Sequence, residues 1–126
     1  MIRVISLRPI WAWCAINAGK DVENRTWRTN YRGPLAIHAS GNTRGIADDC
    51  DAADAIIRPA RVPDLVPLSA IVGVVDLVDV VRDSRSRWAA RGCWHWVLRN
   101  PRPCEHVDIG GRLGLWTYEG ELKWTR

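Results

Sequence analysis

The chain has 126 residues, enough for one domain around a single core and too few for two, so one domain over 1–126 is expected. With 47% hydrophobic and 25% charged residues, its composition excludes a disordered, collagen-like or coiled-coil chain. The net charge of +4 is uneven: residues 1–45 set seven Lys/Arg against Asp21 and Glu23, residues 46–79 set two against seven acids, and residues 80–126 set nine against five. Either the basic ends fold together into one positive face suited to phosphate, or these charges form an ordinary solvated surface.

No apolar run approaches the roughly 20 residues of a membrane helix, and MIRVISLRPI reads as a strand rather than a signal peptide, which predicts a cytoplasmic protein. Cysteines 14, 50, 93 and 104 have no CxxC spacing, and there are only three His, so no metal site and no disulfide are expected. The sequence has no GxGxxG or Walker loop, and no cofactor is predicted. Eight Trp and no Phe is a biased choice of aromatics. Each indole N–H needs a partner or a wet edge, so some Trp should face a ligand.

Arg3 to Leu7 alternates and is rich in branched residues, which predicts a first strand ended by Arg8-Pro9. Pro9 suits the first turn of a helix running to about Ala18, with Trp11, Cys14, Ala15 and Ala18 at helical spacing and Gly19 as its cap. Trp11 is assigned to the core and Trp13 to core or rim. A short strand around 21–25 and a loop follow, then a buried strand from Pro34 to Ala39 interrupted by His38. A second helix is expected over Gly45 to Arg58, with its aspartates in solvent.

After a stiff Pro59/Pro63/Pro67 connector, Leu68 to Val81 reads as one long strand, which Gly73 lets bend or bulge. A basic loop over Arg82 to Arg91 precedes separate strands at Cys93 to Leu98, Cys104 to Val107 and Arg112 to Tyr118. A last strand near Leu122 to Trp124 is expected to pair back through the Glu119-Gly120 turn. Asp76 is expected to partner Arg25 or His38.

The segment SLRPIWAWCAINAGKDVENRTWRTNYRGPLAIHAS, with AIVGVVDLVDVV, WHWVLRNPRPC and GRLGLW further on, resembles the ASCH domain over nearly the whole chain. The resemblance is most specific in Pro-x-Trp-Ala, Gly-Lys, Glu-x-Arg and Arg-Gly-Pro-Leu with a His two residues beyond. It implies an α+β fold, a small mixed PUA-like β-barrel of about six or seven strands with two principal helices. It also implies a cleft that takes RNA, single-stranded DNA or a modified nucleoside.

The candidate base-binding residues are Lys20, Glu23, Arg25, Trp27, Arg28, Tyr31, Arg32, His38 and Trp96. On a strand, Glu23 and Arg25 share one face while Lys20 approaches from the turn. A carboxylate can accept from an exocyclic amine, an Arg can grip phosphate or a base edge, and Trp27 and Tyr31 offer stacking faces. The structural alternatives are an internal Glu23/Arg25 ion pair, a core Trp27 and a satisfied core His38. Trp94 and Trp96 should share one strand face, with His95 on the other.

Some ASCH-related proteins are amidohydrolases on acylated cytidine, with a Lys after a Gly, a Thr nucleophile three residues later and a Glu on a later strand. Here Lys20 matches, but Glu23 stands at the Thr position and the long strand offers Asp76 or Asp79. A carboxylate is a poor substitute for a hydroxyl nucleophile, so that chemistry does not carry over as it stands. RNA cleavage, associated with other members, would use His38 or Glu23 with Lys20 or Arg25. The leading expectation is therefore a nucleic-acid reader. The alternative is a small hydrolase in which Lys20 and Glu23 are catalytic.

Overall fold

The computed structural model describes residues 1–41 and 61–125. Among them are β1 (Ile2–Leu7), α1 (Pro9–Asn17), β2 (Val22–Arg25), β3 (Gly33–Ala39), β4 (Ala70–Val81), β5 (Trp94–Asp108) and β6 (Leu115–Tyr118). The expected helix over Gly45 to Arg58, and Cys50, lie outside the described residues. No helix among the described residues is long and apolar enough to cross a membrane.

The strands form one six-stranded sheet in the order β2-β5-β4-β3-β1-β6. Only β1 and β3 run parallel, because the chain crosses over through α1 and β2 between them. The other neighbouring pairs are antiparallel. Alternation divides the side chains between two faces. Ile5, Leu7, Leu35, Ile37, Val75 and Leu77 pack with Trp11, Ala15 and Ile16 of α1. Val4, Ala36, Ile71 and Val74 pack on the other face with Cys104 and Trp116.

The fold differs from expectation in three ways, each with a local cause. The two strands anticipated at Cys93 to Leu98 and Cys104 to Val107 are one strand of 15 residues, β5. Asn100, at φ 55°, absorbs the Asn-Pro punctuation as a bulge opposite β4 rather than as a reversal. The last segment does not pair back on β6. Instead Trp124 bridges Cys104 of β5, supported by Glu105 N–H donating to Lys123 O at 2.7 Å.

The third difference concerns closure of the sheet. Among the described residues β2 and β6 stand at the two ends of the strand order, and the ladder does not close into the expected barrel. It is an open sheet, and the segment after β6 bridges back to β5. β4 is buried as far as Leu77, beyond which Val78 and Asp79 are exposed.

Gly73 sits where the two long strands bend and α1 crosses them. A Cβ there would lie 2.6 Å from Ile16 Cδ1 and 2.8 Å from the Arg102 carbonyl oxygen. The side chain can yield, but the backbone oxygen of a paired strand cannot do so cheaply. Gly73→Ala is therefore expected to destabilise the fold by about 1–3 kcal/mol. In urea titrations, adding Ile16→Ala should restore none of the loss caused by the Arg102 carbonyl.

Candidate functional site

The site begins where α1 stops. Ala18 N–H and Lys20 N–H both return to Cys14 O, and Gly19 makes the turn at φ 73°, a conformation that suits glycine. This reversal carries the Lys20 side chain back over the helix it has just left. Its Nζ lies 5.5 Å from the centre of the Trp11 ring and 6.0 Å from that of Trp88, two indoles packed edge to face. The same ammonium donates to Val22 O.

β2 then presents Glu23 and Arg25 on one face, as their spacing predicts. Glu23 Oε1 is 3.0 Å from Lys20 Nζ, and its Oε2 is 3.1 Å from Arg25 Nε. Arg25 reaches on to donate from Nη2 to Ser6 O at 2.8 Å, which ties β2 to β1. Lys20, Glu23 and Arg25 are only 4%, 3% and 1% exposed. The cluster thus buries two cations against one carboxylate.

Burying an ion costs several kcal/mol unless partners replace its water. Here the replacements are the carboxylate, two carbonyls and two indole faces. The surplus positive charge suits an anion or a carbonyl oxygen gaining charge. A carboxylate has about four acceptor positions, so Glu23 keeps capacity for a further donor.

The other candidates separate into groups. Trp27 is half-buried and packs edge to face on Trp96, whose Nε1 donates to Trp27 O at 3.1 Å. Trp96 is fully buried. Arg28 is exposed and lies over Trp94. Tyr31 and Arg32 turn elsewhere: the Tyr31 hydroxyl donates to Pro34 O, and Arg32 pairs with Asp79 at 3.7 Å. Asp76 pairs with Arg102 at 3.0 Å rather than with Arg25 or His38, since both face other elements.

His38 is fully buried on the face away from α1, edge to face with Trp116. Its Nε2 donates to Ile109 O at 2.7 Å, which leaves Nδ1 to accept from Ser6 Oγ at 3.0 Å. Burial holds its pKa below the usual imidazole range. Burial likewise pushes the Cys14 thiol up to about 11 and raises Cys104, so neither is a ready nucleophile. Cys14, Cys93 and Cys104 are buried thiols.

Sequence reasoning missed Trp88, Asn24 and Ser6. Trp88 walls the cluster from an irregular loop, where no periodicity marks a side chain as inward. Asn24 holds that loop, donating to Trp88 O and accepting from Ala90 N–H, both at 2.8 Å. Among the described residues no group of His, Cys, Asp and Glu is placed to hold a metal ion.

Among the described residues, this mostly antiparallel six-stranded sheet with one helix packed on a face has the fold of a solved ASCH protein. The crystal structure of a point mutant of ZmASCH from Zymomonas mobilis matches it with a TM-score of 0.59 at 17% identity, covering 98% of this chain and 89% of that one. No family model matches the sequence, and no curated protein does.

Glu23→Gln leaves two buried cations uncompensated and should cost about 3–5 kcal/mol. Lys20→Met keeps the stem between the indoles and leaves a neutral Glu23/Arg25 pair, so urea denaturation should show a smaller loss. The reverse order would mean the carboxylate is not the centre of the cluster.

His38 is neutral in the fold, whereas the unfolded chain takes up its proton near pH 6.5. Its contribution is therefore complete above about pH 6.5 and declines as pH falls below that value, until the depressed folded pKa is passed. Thermal midpoints across this window should fall more steeply for the native protein than for His38→Gln.

Proposed function

We propose that this chain is a nucleic-acid-related binding module that takes a base of RNA or single-stranded DNA, or a modified nucleoside, against the Lys20, Glu23 and Arg25 cluster. The observation carrying this reading is the buried carboxylate held between two cations beside the Trp11 and Trp88 indoles. Such a group offers a fixed acceptor for an exocyclic amine, with positive charge for a carbonyl or phosphate oxygen next to it. The ASCH fold and the sequence resemblance to that family support the same ligand class.

Lys20 and Glu23 are nearly inaccessible in this conformation, so a ligand reaches them by displacing the Trp88 indole. That wall is a single side chain on a loop held by Asn24 rather than part of the sheet, so turning the indole aside breaks no strand pairing. A second reading, hydrolysis, rests on the 3.0 Å Lys20 to Glu23 contact, which is proton-transfer distance. In that reading the pair moves a proton for an attacking water. In the binding reading it only recognises.

One experiment separates the two. Fluorescence anisotropy with single-stranded RNA and DNA oligonucleotides, with normal and modified cytosine, is followed by chromatography of the same samples. The expected result is saturable binding, weakened about tenfold or more by Lys20→Met, with every oligonucleotide recovered intact. A product that disappears in Lys20→Met would transfer the assignment to hydrolysis. Absence of binding to every oligonucleotide and nucleoside would overturn both.

A further inference from the structure

Outside the cluster, one feature of the surface combines charge, rigidity and aromatic support. The loop between β4 and β5 carries Arg82, Arg85, Arg87 and Arg91, all exposed, with Asp83 as its single acid. Arg28, on the segment after β2, meets this loop at Trp94. The Arg82 guanidinium carbon lies 4.9 Å from the centre of the Trp94 ring and that of Arg28 lies 5.5 Å from it. Arg87 stands 4.8 Å over Trp88, the indole that walls the buried cluster. Among the described residues, none of these five arginines forms an ion pair with a carboxylate.

The loop is firmly held. Ser84 N–H donates to His95 Nδ1 at 3.1 Å, His95 Nε2 donates to Ala90 O at 2.6 Å, and Asn24 clasps both Trp88 and Ala90. Ser86 Oγ donates to the Asp21 carboxylate just before β2. Fixing a loop that repels itself electrostatically is costly, and the hydrogen bonds that do so leave its arginines facing water. Resting a guanidinium on an indole restricts its rotamers; Arg82 also donates from Nη2 to Gly92 O at 3.5 Å, and its remaining N–H groups, like those of Arg28, can meet an acceptor. This arrangement suits phosphate oxygens spaced along a chain better than a single small anion.

We infer that Arg28 and Arg82 on Trp94, continued by Arg85, Arg87 and Arg91, form a phosphate track for a single strand of nucleic acid. The track runs up to Trp88 and so delivers a base to the buried cluster. The inference rests on the proposed base-binding reading and extends it: the ligand is a polymer held by its backbone, not a free nucleoside. A single strand is specified because only an unpaired base can leave its stack to pass Trp88.

The test measures affinity for a single-stranded oligonucleotide of about a dozen nucleotides, its duplex and a free nucleoside between roughly 50 and 300 mM salt. The proteins compared are the native chain, the double variant Arg28→Ala with Arg82→Ala, and Arg99→Ala as a control outside the loop. The double variant should lower the log–log salt slope for the single strand by about 1.4, the loss expected for two phosphate contacts. It should leave nucleoside binding unchanged, with the protein still folded by circular dichroism at the assay temperature. The Arg99→Ala control should behave as the native chain.

An unchanged slope in the double variant would overturn the track while leaving base binding intact. Duplex bound as tightly as single strand, or nucleoside bound without any oligonucleotide, would also overturn it. Loss of nucleoside binding in Lys20→Met alone bears on the base site and not on the track, so the two readings fail by different results.

Discussion

The burial of three ionic side chains in a chain of 126 residues constrains nearly everything around them. Lys20, Glu23 and Arg25 cannot give up water unless each finds its replacement, and no single element supplies all of those replacements. The helix end supplies the reversal that delivers the ammonium. β2 supplies the carboxylate and guanidinium on one face, Ser6 of β1 supplies a carbonyl, and the loop before β5 supplies the second indole. The cluster is therefore satisfied only when these parts are in place together, which couples the local geometry of the site to the completed fold.

Ser6 carries that coupling through the sheet. Its carbonyl accepts from Arg25, while its hydroxyl lies between His38 and the Trp116 indole N–H on the opposite face. One residue thus joins the ionic cluster to the second apolar core. The close approach of Gly111 completes this arrangement, since a Cβ there would fall 2.7 Å from Ser6 Oγ and 2.8 Å from a His38 ring carbon. The 109–111 segment can lie against the dyad because it has no side chain at that point.

The same economy explains the distribution of tryptophan. Trp11 and Trp88 face Lys20, Trp94 supports two arginines and Trp116 donates to Ser6, so several indoles serve as polar or electrostatic partners as well as packing bodies. A Phe would fill comparable space but could not donate. Its quadrupole would also hold a cation less strongly.

Periodicity and local chemistry were enough to predict β1, α1 with its Gly19 cap, the short β2, the buried β3 and the long β4 from the sequence alone. These features depend on neighbours within a few residues, where alternation, helical spacing and glycine act directly. The shared face of Glu23 and Arg25 was legible for the same reason. Partner choice was not: Asp76 took Arg102, His38 took Ser6 and Ile109, and Trp88 came in over Lys20 from a loop without pattern. Whether Asn100-Pro101 reversed the chain or bulged within β5, and whether the sheet closed, were also decided at long range. Pairing between distant segments depends on which surfaces remain to be buried once the local elements exist, and that competition is settled only in three dimensions.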